Sequence, residues 1–247
     1  MSKAIGILKL RTLEKGEPVK EVIIKFPAIA TKTYQAFKSQ TDMLKIMNDV
    51  IKKMKKLSSP ARRARLAHKE VNNKISELFE NSEVKAKVSC REGCSACCHT
   101  QVSITDDEAQ LLYKLIQNGH QIDLDKLKRQ SVASREASSW YKLSYQDRGC
   151  IFLDEKKSCS IYDNRPLVCR TNHVVSDPSD CSTEDGAEKP VNLLNTFEAD
   201  MVLMGAFSQC EENGAMPDLL FNLIEGKRDL LDMMSPRISP AQVFKEF

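Results

Sequence analysis

Cys90, Cys94, Cys97 and Cys98 stand within nine residues, in the run CREGCSACC. Cys150, Cys159 and Cys169 follow in CIFLDEKKSCSIYDNRPLVCR, and Cys181 lies just beyond. Apolar packing does not call for thiols at this density. Zinc and iron-sulfur sites do require thiolates at short spacings. Eight of the nine cysteines are therefore candidate metal ligands. A single tetrahedral ion takes four thiolates. The set thus allows two mononuclear sites, one cluster plus one site, or a shared polynuclear site. Adjacent side chains point in different directions along most backbones, so Cys97 and Cys98 serve two metals or one of them bridges. Cys94 and Cys97, three apart, can share a metal through one turn. The cysteine chemistry leaves zinc and iron equally open, an iron-sulfur cluster included.

The flanking residues suit such a site. Thiolates around a cation leave net negative charge, and Arg91, Arg148, Arg165 and Arg170 neighbour the cysteines, where they can balance it. Pro166 fixes the turn before Cys169. With eight thiols at hand, neither His99 nor His173 is expected to ligate. Cys210 lies apart from the clusters and reads as an ordinary thiol. His68 and His120 fall on expected helix surfaces.

The elements that must hold these residues are mainly helical. Val and Ile around the Gly16–Pro18 break predict a short N-terminal β-hairpin, Ile5–Leu10 with Val22–Phe26, ended by Pro27. Leu44, Met47, Val50, Ile51, Met54 and Leu57 recur at helical spacing within 31–57. Ser59 and Pro60 open a second helix to about Phe79. Thr105 and Glu108 form a capping box for a helix that stops at Asn118-Gly119. A further helix is expected over about 123–141, an apolar one from Val191 to Ala206, one from Pro217 and a short one from Ser239-Pro240. Residues 147–190, rich in Asp, Ser, Pro and Cys, read as irregular and organised by metal rather than by an apolar core. The fold class is mainly α, a helical domain with an irregular cysteine-rich segment. Two parts are expected: a basic, mostly helical extension over 1–88 and the cysteine domain with C-terminal helices over 89–247.

The chain has 247 residues, 41 % hydrophobic and 29 % charged, the composition of a globular protein. No apolar run reaches membrane-spanning length, and MSKAIGILKLRTLEK lacks the apolar core and cleavage site of a signal peptide. A cytoplasmic location is expected, where clustered cysteines bind metal more often than they form disulfides. Residues 1–89 carry 20 Lys+Arg against 9 Asp+Glu, a net +11, and the remainder carries 17 against 25, a net −8. No aromatic residues interleave the basic run as a single-strand platform needs. Nucleic acid is therefore not an expected partner; metal ions are, and the charge bias leaves room for a protein partner.

Cys90-x3-Cys94-x2-Cys97-Cys98 with the helix start VSITDDEA, then Cys-Ser-Ile-Tyr-x-x-Arg-Pro-x-x-Cys-Arg, then Cys181, resembles the YkgJ-type cysteine-cluster family, the CxxCxxCC proteins described as zinc- or iron-chelating domains. The likeness covers about Cys90 to Cys181. It implies that the eight cysteines form the metal site, and it implies no particular reaction. Related segments in flagellin lysine N-methylases imply the alternative, an iron-sulfur enzyme acting on protein lysines. Cys90-x3-Cys94-x2-Cys97 also matches the spacing of radical S-adenosylmethionine enzymes, but their alternation of strands and helices is missing here. No P-loop, nucleophile elbow or paired catalytic carboxylates occur. Whether the chain is an enzyme stays open at this level.

Overall fold

A computed structural model of the chain describes residues 6–12, 20–26, 40–91, 93–185 and 189–233. The expected hairpin is present. Strand β1 (Gly6–Thr12) pairs antiparallel with β2 (Lys20–Phe26), placing Gly6 opposite Phe26 and Thr12 opposite Lys20. Helix α1 (Gln40–Met54) turns Met47, Val50 and Met54 inward. Residues 31–39 of the expected helix lie outside the described residues. Helix α2 (Pro60–Phe79) begins with the proline, whose missing N–H and fixed φ suit a first turn. It buries Ala61, Ala64, Ala67, Val71 and Ile75 along one stripe. A short helix α3 (Ser82–Ala86) leads to the first cysteines.

The third partner of α1 and α2 is α9 (Phe197–Gln209). Its residues from Met201 to Phe207 are all buried, as an all-round apolar helix requires. Helices α1, α2 and α9 form one core with Leu167. Each buried Met, Leu or Phe contributes on the order of 1.5–3 kcal/mol. Gly205 permits the close approach of α9 to α1: a Cβ there would strike the side chain of Val50 and stand 3.0 Å from the Met47 carbonyl oxygen.

A second core joins β3 (Ser103–Thr105), α4 (Asp106–Gln117), α5 (Leu124–Ser134) and α10 (Met216–Met233). The capping box at Thr105 and Glu108 forms in both directions, and Gly119 takes φ +99° just past the helix. Strand β3 pairs antiparallel with β4 (Asn213–Ala215), so Met216 N–H reaches the Val102 carbonyl at 2.7 Å and α10 starts beside α4.

Three expectations change. The helix expected over 123–141 is two, α5 and α6 (Ala137–Trp140). Gln101 takes the Ser134 carbonyl at 3.0 Å, and Glu136 is extended, so the ladder stops there. The apolar helix starts at Phe197 rather than Val191, because Leu193 bridges Val174 and Leu194 N–H bonds the His173 carbonyl at 2.8 Å. The largest change concerns 147–190. Ile151, Phe152, Ile161, Leu167 and Val174 are buried there, and the first three belong to the second core. An apolar core, not only thiols, organises this segment. The expected helix at Ser239-Pro240 lies outside the described residues. Among the described residues no helix is long and apolar enough to cross a membrane.

Candidate metal centre

Cys97 and Cys98 sit in a 3-10 turn, Ala96–His99. The loop before it is tied by Cys94 N–H to the Arg91 carbonyl at 3.0 Å, with Gly93 at φ +80°, a conformation that favours glycine. Two further segments meet this turn. Helix α7 (Tyr145–Arg148) packs beside it, and Cys150 N–H then bonds the Cys98 carbonyl at 2.8 Å. The 3-10 turn Pro178–Cys181, capped by Asp177, packs on its other part and brings in Cys181.

Cys150 and Cys159 are the ends of a small loop closed by the Leu153–Cys159 bridge and by Ser160 N–H to the Phe152 carbonyl at 2.8 Å. The backbone N–H two residues on, of Phe152 and Ile161 respectively, lowers the pKa of each thiol against the larger effect of burial. Those two residues are core anchors, so packing aims the amides at the sulfurs. Cys90 is held comparably from far along the chain. Val174 N–H points at its sulfur at 3.3 Å, and Ser89 N–H bonds the Val174 carbonyl at 2.8 Å. Cys169 lies in α8 (Leu167–Thr171), with its N–H on the Pro166 carbonyl at 2.9 Å, so Pro166 does set the turn before it.

The thiols sense one another. Burial first, then the charges of Cys97, Cys90 and Cys94, push Cys181 up to about 11. Burial raises Cys90, and Cys97 and Cys94 add to it. The hydrogen bond with Cys97, then burial, raise Cys98, with Cys97, Cys150 and Cys169 as its charged neighbours. Burial pushes Cys150 up to about 11, with Cys159 and Cys97 nearby. Burial also raises Cys169, beside Cys150, Cys97 and Cys159. Cys97 alone moves down, to about 7, because the Cys98 thiol donates to it and the Asn172 side chain bonds it as well. Cys97 is thus a charged neighbour of Cys90, Cys98, Cys150, Cys169 and Cys181. Cys210 does not join them: its S–H donates to the Phe207 carbonyl at 2.9 Å, and its charged neighbours are Asp106 and Asp107.

The donor set suits a soft or borderline cation: thiols alone, oriented by N–H groups that favour the thiolate. Mostly raised thiol pKa values mean that binding a cation would release protons. Among the described residues, no three His, Cys, Asp or Glu side chains stand together as a group that could hold a metal ion.

The arginines divide by role. Arg165 lowers the pKa of Cys90, Cys97, Cys159 and Cys169, though in each case it is a lesser influence than burial or hydrogen bonding. Its guanidinium lies over the Tyr162 ring, 4.3 Å from the centroid. Arg170 is turned into the protein instead. It bonds the carbonyls of Arg165 and Asp163, the Asn72 side chain and His68, and burial lowers its pKa to about 10. Arg148 bonds Thr183 twice and lies over Tyr141 and Tyr145. His99 stacks on Tyr145 at 3.9 Å, and His173 meets Phe79 edge-on at 5.1 Å. Burial lowers both, His173 to about 4.

Sequence reasoning missed four residues. His68, expected on a surface, is only 4 % exposed and pairs with Glu108 at 3.0 Å. Asn172 touches Cys97, and Lys126 lowers the pKa of Cys150. Glu108 was legible as a capping residue, but its second oxygen, which holds Leu167 N–H, was not. No spacing rule connects these positions to the cysteines.

Residues 89–192 match the family model CxxCxxCC, described as a putative zinc- or iron-chelating domain. No curated protein matches the chain significantly, and no solved structure does.

Proposed function

From a CxxCxxCC domain at residues 89–192 as premise, we propose that the chain chelates zinc or iron through the thiolates of Cys90, Cys94, Cys97, Cys98, Cys150, Cys159, Cys169 and Cys181. The observation that carries this reading is the family match over residues 89–192, which contain all eight thiols; Cys90, Cys98, Cys150, Cys169 and Cys181 each have Cys97 as a charged neighbour. Zinc or iron, when bound, supplies the positive charge that stabilises thiolates crowded together. The chain's own residues do the rest. Amides of Phe152, Ile161 and Val174 hold sulfurs in place, Asn172 supports Cys97, and Arg165 offsets part of the negative charge. The hydrogen bonds from the Cys98 thiol and the Asn172 side chain favour the thiolate form of Cys97.

The role that fits is a chelating or structural module. Neither His99 nor His173 is placed as an acid or base: the first is stacked on Tyr145, and the second is buried with no partner for Nε2. The test is elemental analysis of purified protein together with an anaerobic absorption spectrum. Stoichiometric metal is expected. Broad visible bands would assign iron-sulfur, and a colourless metal-loaded protein would assign zinc. A folded, metal-free protein with eight reactive thiols would overturn the proposal.

A further inference from the structure

We infer that the outward face of helices α1 and α2 docks an acidic peptide segment of a partner protein. This stands apart from the chelation reading above and does not depend on it.

The first core builds the face. Both helices turn their apolar stripes onto α9, so their opposite sides look outward together. Lys53 meets Glu70 at 2.8 Å, which lays the end of α1 beside α2. Between positions 45 and 69 the chain carries nine Lys and Arg residues and a single acidic one, Asp49. Two of the nine are taken, Lys53 by Glu70 and Arg63 by Asp107. Lys45, Lys52 and Lys56 on α1 and the turn that extends it, and Arg62, Arg65 and Lys69 on α2, are all exposed. None of these six forms an ion pair with another described residue. Unpaired like charges this close repel one another, and an opposing charge relieves that repulsion.

The chemistry of the partner follows from what the face lacks and from what surrounds it. Among the described residues no large apolar side chain of α1 or α2 is exposed, so none is placed to enter a lipid surface. No aromatic residue stands between 45 and 69 to stack on the bases of a single strand. A long duplex would run past the face onto the rest of the molecule. There, residues 90–247 carry 17 Lys+Arg against 25 Asp+Glu and would repel its phosphates. A short acidic segment covers the cations without reaching that acidic part. With no apolar anchor, the attraction rests on charge, so the complex is salt-sensitive.

The experiment is fluorescence anisotropy of a labelled peptide of alternating Asp, Glu and Ser, titrated with the full-length protein at low and at physiological salt. Saturable binding that weakens as salt rises is expected. Lys52→Glu/Lys69→Glu should weaken it about tenfold or more. Lys128→Glu/Lys142→Glu makes the same change in net charge at two exposed lysines outside the face and should bind as the parent does. Circular dichroism checks the fold of each variant. Where the first pair does not fold, Lys52→Glu alone takes its place against Lys142→Glu, with the loss expected only in the former. Equal loss in both pairs would mean that net charge and not this face attracts the peptide. Absence of saturable binding, or tighter binding to a DNA duplex or to phosphatidylserine vesicles at equal charge concentration, would overturn the assignment to an acidic peptide.

Discussion

Glu108 accepts the backbone N–H of Leu167 at 2.7 Å, a contact spanning 59 positions of the chain. The same carboxylate pairs with His68 at 3.0 Å and caps its own helix through Thr105 N–H at 3.1 Å. One buried side chain therefore joins α2, α4 and the helix that carries Cys169. Removing it strands several buried donors at once, each costing about 1–3 kcal/mol. Glu108→Ala should lower stability by about 3–5 kcal/mol, read by urea denaturation. Glu108→Gln, still able to accept, should lose clearly less. Equal losses would show that the acceptor role is not what matters.

Arg165 lowers the pKa of four of the thiols, Cys90, Cys97, Cys159 and Cys169, after burial or hydrogen bonding in each case. Without it, four crowded thiolates lose an opposing charge. Arg165→Gln should weaken metal affinity about 10- to 100-fold, while Arg165→Lys should recover part of it. Competition against a chelator of known affinity measures this. Unchanged affinity in Arg165→Gln would mean that solvent screens the charge.

Metal removal should act locally. Structural thiolate sites supply on the order of 10 kcal/mol, but Ile151, Phe152 and Ile161 keep their apolar contacts without it. The turns over 177–182 rely on local bonds, Asp180 N–H to Asp177 and Ser182 N–H to Ser179. Hydrogen exchange after chelation should show lost protection over 177–182 and retained protection over 151–161. Loss over 151–161 with α9 still protected would show that the core alone does not hold that loop.

Gly205 tests the packing of α1 on α9. A methyl group there meets Val50 and the Met47 carbonyl, neither of which yields easily. Gly205→Ala should destabilise by about 1–3 kcal/mol despite the better helix propensity of alanine. A thermal midpoint at or above the parent's would mean that the two helices separate without cost.

The sequence by itself determined the cysteine domain that the family model matches, the helical class and most helix starts. Dense thiols have few uses, and helix starts such as the Thr105–Glu108 box and Pro60 in a first turn act over one turn, so local spacing reveals them. Only the tertiary structure decided what surrounds the sulfurs. Residues 147–190 look irregular because their apolar side chains are few and aperiodic, yet Phe152 and Ile161 are buried by helices that arrive from elsewhere. His68 looks like a surface residue until Glu108 and Arg170 reach it across 40 and 102 positions. Whether Val191–Asn195 continues a helix or bridges Val174 depends on a partner strand that periodicity does not register. Short-range rules see the caps and the thiols; burial and charge at the site are set by contacts between residues that only the folded chain brings together.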